Sequence, residues 1–89
     1  MYWTYVLECS DDMSWYIGYT SDLKKRLAEH QSGHGAETTK KKDNWRLIYC
    51  EGYVNIDDAK GREIFLKSGS GRKFLKKQLK NYLQLAPRE

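Results

Sequence analysis

The chain alternates short apolar runs with stretches whose apolar residues recur at helical spacing. Tyr2 to Leu7 is rich in aromatic and β-branched residues and predicts a strand. Ser10-Asp11-Asp12 is turn chemistry, and Trp15 to Tyr19 predicts a second strand, close enough to pair with the first as an antiparallel hairpin. A helix start follows: Thr20 or Ser21 suits the cap, Asp22 suits the N-terminal dipole, and Leu23, Leu27 and Gln31 share a face. Gly33-His34-Gly35 ends that helix, and residues 33 to 44 read as a polar loop carrying Lys40-Lys41-Lys42. Trp45 to Tyr53 predicts a third strand. Asp57 and Asp58 open a second helix to about Lys67, with Ile56, Ala59 and Leu66 at core spacing. Gly69-Ser70-Gly71 predicts a break before a last helix, Arg72 to Leu83, with Leu75, Leu79, Tyr82 and Leu83 on one face; Pro87 closes the chain. The order β-β-α-β-α-α predicts an α+β fold, a three-stranded and mainly antiparallel sheet flanked by helices. At 89 residues it is expected to be a single domain spanning 1–89.

Composition narrows the setting. Cys9 and Cys50 both fall in apolar runs and read as core thiols, so a reducing, cytoplasmic location is expected. Met1 leads straight into the first strand-like segment, so no signal peptide is expected, and no apolar run approaches the length of a membrane span. The net charge of +4 is modest, but its distribution is uneven. Lys67, Arg72, Lys73, Lys76, Lys77 and Lys80 lie in a segment with no acid, the electrostatic footprint expected for a phosphate backbone.

A few residues stand out as candidate chemistry. Tyr5 and Tyr16 sit on the two paired strands. Arg26 and His30 stand four apart, on one side of the first helix roughly 100° from its apolar stripe, and are expected at the rim of the sheet. Glu63 interrupts the stripe Ile56, Ala59, Leu66, where a carboxylate is costly unless paired or bound to a cation. Lys67, four residues on, offers the ion pair; a divalent ion offers the functional alternative. Phosphodiester hydrolysis needs a base, a Lewis acid and a cation over developing charge, roles that a tyrosine, a carboxylate-held metal and an arginine can fill.

Taken together, Tyr5, Tyr16-Ile17-Gly18, Arg26, His30 and Glu63 resemble the pattern of the GIY-YIG nuclease superfamily. The likeness runs from about Tyr2 to Leu83 and is strongest to the small single-domain bacterial members. The same pattern occurs in the incision subunit of bacterial nucleotide excision repair. The Trp45 to Tyr49 strand and the Leu66-Lys67-Ser68-Gly69 turn are similar to those small members as well. The resemblance implies that Tyr5 and Tyr16 face each other across the hairpin and position or deprotonate the attacking water. It further implies that Arg26 binds the scissile phosphate, His30 assists as a base or hydrogen-bonding partner, and Glu63 holds one Mg²⁺ or Mn²⁺. Gly18 would let the chain turn closely from strand into helix. The first triplet departs from the pattern as Trp3-Thr4-Tyr5, and Tyr19 stands where lysine or serine is common.

Two functional classes remain open at this point. One is a hydrolase cutting DNA, in repair or recombination; the other is a nucleic-acid-binding module of the same fold without turnover. A pure binder has no use for Glu63 near phosphates, which it repels. A zinc site from Cys9, Cys50, His30 and His34 fails on ligand spacing. With no second specificity domain legible, selectivity is expected from a protein partner, self-association or DNA shape.

Overall fold

A computed structural model of the chain describes residues 1–33 and 44–85. His34, Lys40 to Lys42 and Pro87 lie outside that range. The elements run β1 Tyr2–Cys9, β2 Trp15–Thr20, α1 Leu23–Gln31, β3 Trp45–Tyr53, α2 Ile56–Lys67, α3 Gly69–Gln78 and α4 Lys80–Leu83. The sheet order is β2-β1-β3 with both pairs antiparallel, which is the α+β architecture read from the sequence. Among the described residues no helix is long and apolar enough to cross a membrane.

The middle strand explains the packing. From Thr4 to Cys9 every residue of β1 is buried, because both faces of the sheet are covered. Side chains alternate across a strand, so Tyr5, Leu7 and Cys9 share one face with Trp45 and meet Leu23 and Leu27 of α1. Val6 joins Ile17 on the other face against Leu66 of α2 and Leu75 of α3. The β1–β3 register slips between Val6 and Leu7, leaving Ile48 as an extra residue in β3. Ile48 and Tyr49 consequently both pack on the α2 side.

One buried carboxylate and one half-buried carboxylate tie the helices to this sheet. Glu8 in β1 accepts from Trp15 Nε1 of β2 (2.9 Å), Arg46 Nη2 of β3 (2.9 Å) and the Tyr82 hydroxyl of α4 (2.6 Å). Glu51 in β3 accepts two bonds from the Arg62 guanidinium, at 2.8 and 3.1 Å, and further bonds from the Tyr49 and Tyr53 hydroxyls. Burial alone would raise the Glu51 carboxyl, but those donors hold it below its ordinary range.

The local starts and stops differ from the sequence expectation in three places. Asp22, rather than Thr20 or Ser21, caps α1 by accepting from the Lys25 amide at 3.1 Å, while Thr20 Oγ1 accepts from the Asp22 amide. Gly69-Ser70-Gly71 is not a break: it forms the first turn of α3, and the single extended residue Ser68 separates it from α2. Ser68 Oγ donates to the Phe65 carbonyl at 2.6 Å and accepts from the Gly71 amide at 3.1 Å, so one hydroxyl serves both helix ends. The expected helix from Arg72 to Leu83 is two pieces, divided at Leu79.

Gly71 is buried where α2 meets α3, and a Cβ there would lie 1.9 Å from the Phe65 carbonyl oxygen and 2.5 Å from Leu66 Cα. Gly61 lies within α2 with nothing within 4 Å of such a Cβ. Gly71→Ala is therefore expected to destabilise by about 1–3 kcal/mol or more, and Gly61→Ala to stabilise by about 0.5–1 kcal/mol. Urea midpoints of the two variants check this. Matching shifts would mean that the close helix approach is absent.

Candidate active site

Strand register builds the centre of the site. Tyr5 stands opposite Gly18, and Tyr16 stands opposite Leu7. The tyrosines are thus diagonal neighbours rather than directly facing, with ring centroids 6.3 Å apart. Gly18 has no strand-to-helix turn to make; it lies inside β2 and its φ is not in the left-handed region. Its role is space. A Cβ at Gly18 would sit 2.7 Å from the Tyr5 hydroxyl oxygen and 3.1 Å from Tyr16 Cε2, so only glycine lets both phenols converge here.

The first helix completes the cluster. His30 is not at the sheet rim as its helical offset predicts; it is the one fully buried residue of α1, at 0% exposure. Its ring lies 5.8 Å from the Tyr5 ring and 4.9 Å from the Tyr16 ring. The Tyr5 hydroxyl and His30 Nε2 are 2.9 Å apart. Burial pushes the Tyr5 phenol up to about 12; the Arg26 guanidinium within hydrogen-bonding reach opposes this, while Tyr16 and the Glu63 carboxylate add to it. Burial, reinforced by the Arg26 charge, brings His30 down to about 4, so its imidazole is neutral at physiological pH. The Tyr5 hydroxyl and His30 Nε2 share one hydrogen bond, whose direction is set by the imidazole tautomer.

Arg26 and Glu63 each have a resting partner. Arg26 Nη1 lies 3.0 Å from Glu29 Oε1, three residues on, with both side chains about one-third exposed. Burial works against the Arg26 charge, but bonding to Glu29 and Tyr5 outweighs it and strengthens the guanidinium's hold on its proton. Glu63 Oε2 lies 3.1 Å from Lys67 Nζ, the side chains being 18% and 54% exposed. Glu63 belongs to the helix that packs on the far face of the sheet, and its charge still reaches the Tyr5 phenol. Lys67, read as a phosphate contact, is therefore engaged within the protein.

The other expected phosphate contacts lie elsewhere. Arg72, Lys73, Lys76, Lys77 and Lys80 are exposed on and just after α3, which packs on the sheet face opposite Tyr5 and His30. Cys9 and Cys50 are free thiols, and no group of three or more His, Cys, Asp or Glu is placed to hold a metal among the described residues. Glu29 is the site residue that sequence reasoning missed. Its signal was there: an acid three residues after Arg26 on one helix face.

Comparison with known proteins places this geometry. The sequence profile of the GIY-YIG catalytic domain matches residues 1–79. The chain is similar to a UPF0213 protein of Streptococcus pneumoniae, 48% identical over a stretch covering 71% of this chain and 63% of that protein. It therefore spans less than two thirds of that relative's length. It is 43% identical to the UPF0213 protein YsiG of Lactococcus lactis, over 92% of this chain and 78% of the relative. The solution NMR structure of a UPF0213 protein from Bacillus halodurans is also similar, with a TM-score of 0.52 and 38% identity over 98% of this chain and 89% of that one.

The buried imidazole has a consequence for stability. The unfolded chain takes up the His30 proton near its ordinary pKa of 6.5, and the folded chain only near about 4. Its contribution is thus fully present above about pH 6.5 and is lost as pH falls toward about 4, amounting to about 2 kcal/mol between pH 7 and 5. Urea unfolding of the parent and of His30→Gln at those two pH values tests this. The parent should lose more stability on acidification than the variant, and equal losses would contradict a neutral buried imidazole.

Proposed function

Because the chain belongs to the GIY-YIG family, a nuclease superfamily, we propose that it is a metal-dependent endonuclease hydrolysing DNA phosphodiester bonds. The catalytic set is Tyr5, Tyr16, Arg26, His30 and Glu63, within one domain over residues 1–89. The observation that carries this reading is the Tyr5 hydroxyl, buried at 1% exposure against His30 Nε2 and within the fields of both Arg26 and Glu63. Two phenols pack against the His30 imidazole over Gly18, while Arg26 and, from the helix on the far face, Glu63 act on Tyr5 through their charges.

The donor set fits one hard divalent ion. Glu63 is a partly buried carboxylate that rests on the exposed Lys67, and Mg²⁺ or Mn²⁺ accepts one protein carboxylate while keeping waters for substrate. Bound there, the ion supplies Lewis-acid stabilisation of charge on the phosphate oxygens. The remaining roles fall to the chain itself. Arg26 exchanges Glu29 for the scissile phosphate; a half-exposed ion pair costs roughly 0–1 kcal/mol to open, and two phosphate oxygens suit the guanidinium fork. Tyr16, half-buried on the edge strand, acts in its deprotonated form. It takes a proton from the attacking water as the water oxygen bonds to phosphorus, while the bond to the leaving ester oxygen breaks and that oxygen takes a proton from solvent. Tyr5, held protonated by burial, anchors His30 and Arg26 beneath it.

A DNA-binding domain without turnover is the second reading, and the Lys67–Glu63 ion pair is the observation in its favour. Glu63→Gln decides between the two. Cleavage should fall by about 10²-fold or more, with melting temperature and DNA affinity nearly unchanged; undiminished cleavage would leave Glu63 as the partner of Lys67 alone.

Phenylalanine substitutions separate the tyrosines. Tyr16→Phe is expected to lower single-turnover cleavage by about 10²–10⁴-fold with the melting temperature nearly unchanged. Tyr5→Phe should act mainly through stability, since it strips a buried partner from His30. Parent-like cleavage by Tyr16→Phe, with the larger loss in Tyr5→Phe, would reverse the assignment of the base.

A further inference from the structure

Strand alternation gives β2 a second functional face. Tyr16 turns toward α1, while its neighbour Trp15 turns to the opposite side, where it packs on the Val6, Ile17, Leu66 and Leu75 core. There Trp15 borders a cleft of about 610 Å³ that the catalytic set does not use. Met13 and Leu83 extend the apolar wall, Glu8 lies at its base, and Arg72 and Lys76 supply its cations. A volume of this size is within the range that accommodates a nucleotide-sized ligand.

Three features point to the chemistry of an occupant. First, the Trp15 indole is fixed rather than mobile, because its Nε1 donates to the buried Glu8 carboxylate at 2.9 Å. That bond presets a planar stacking surface. Second, the Arg72 guanidinium stands 5.9 Å from the centre of the indole ring, a cation over a π-face. Its side chain is exposed, so it can swing from that position and leave the ring to a flat heterocycle. Third, Arg72 and Lys76 lie one helical turn apart on the same side of α3, and neither has an ion-pair partner among the described residues. The Glu8 charge does not oppose them, being neutralised by Arg46 at 2.9 Å.

We propose that this cleft binds an unpaired nucleotide of a DNA strand, with the base stacked on Trp15 and its phosphate on Arg72 and Lys76. Base stacking on an aromatic side chain with cations along the backbone is how single strands are held without sequence readout. A paired base inside a duplex cannot offer its face to Trp15, so the cleft selects ends, gaps or frayed strands. The catalytic tyrosine and the stacking tryptophan are adjacent residues on opposite faces of an edge strand. A strand passing over that edge would meet both. The assignment takes its polymer from the nuclease reading but does not depend on turnover.

Binding in chelator, with no cleavage possible, tests it. The probes are a fluorescent oligothymidylate and a blunt duplex of equal length, titrated with the full chain. Trp15→Leu, which keeps apolar bulk but not the stacking face, should weaken oligothymidylate binding about tenfold, the equivalent of about 1.4 kcal/mol, and leave the duplex nearly unaffected. Arg72→Gln with Lys76→Gln, both at exposed positions, should show the same selective loss even if the tryptophan variant fails to fold. Lys73→Gln with Lys77→Gln, removing equal charge outside the cleft, should weaken both probes alike. Equal losses on the two probes for the cleft variants, or no loss, would overturn the proposal. So would competition by thymidine monophosphate or polyglutamate as strong as by unlabelled oligothymidylate, which would make the cleft a small-molecule or acidic-peptide site. A selective loss in a protein that never cleaves DNA would sink the nuclease reading and leave this one standing.

Discussion

A phenol hydroxyl in the middle of a sheet must find partners without water, and the structure around Tyr5 is arranged to supply them. Leaving such a group unpaired costs about 1–3 kcal/mol, a large share of the stability of so small a domain. The strand opposite yields by placing Gly18 there, since any side chain would strike the hydroxyl. The first helix yields by turning His30 inward, so that its one fully buried side chain is polar. Arg26, one turn earlier, adds its positive charge to the field on the same phenol. The features that point to chemistry are thus the ones that satisfy this single buried group.

Glu8 and Glu51 do for the helices what Tyr5 does for the site. Glu8 joins β1 to β2, β3 and α4 through Trp15, Arg46 and Tyr82. Glu51 clamps Arg62, whose guanidinium also stacks on Phe65 and Phe74, at 4.9 and 4.5 Å from their ring centres. With Arg62 held on the β3 side, the rotation of α2 about its own axis is set. Glu63, the next residue, is thereby directed away from that network, where Lys67 meets it. Both charged members of the proposed catalytic set rest on helical neighbours, in pairs exposed enough to open at little cost.

Much of this was legible in the sequence because its signals are local. Runs rich in aromatic and β-branched residues placed the strands, and the acid-free segment from Lys67 to Lys80 marked the basic surface. Glu63 was found by the break it makes in an apolar stripe. The failures were tertiary in origin. The burial of His30 follows from the needs of a residue 25 positions earlier, which no helical wheel contains. Gly69 and Gly71 read as a breaker by propensity, yet Gly71 is required inside a helix by the backbone of α2 against it. Gly18 was read as a turn when its task is to be empty. The separation of the basic helix from the tyrosine pair, on opposite sheet faces, depends on chain topology alone.

The account stands or falls on whether this small domain cuts DNA with a divalent ion. Incubating the unmodified protein with supercoiled plasmid and resolving nicked from closed circles, with Mg²⁺, with Mn²⁺ and with EDTA, asks this directly. Nicked circles should accumulate with either ion and be absent in chelator. Plasmid left fully closed under every condition, or nicked equally in EDTA, would contradict it.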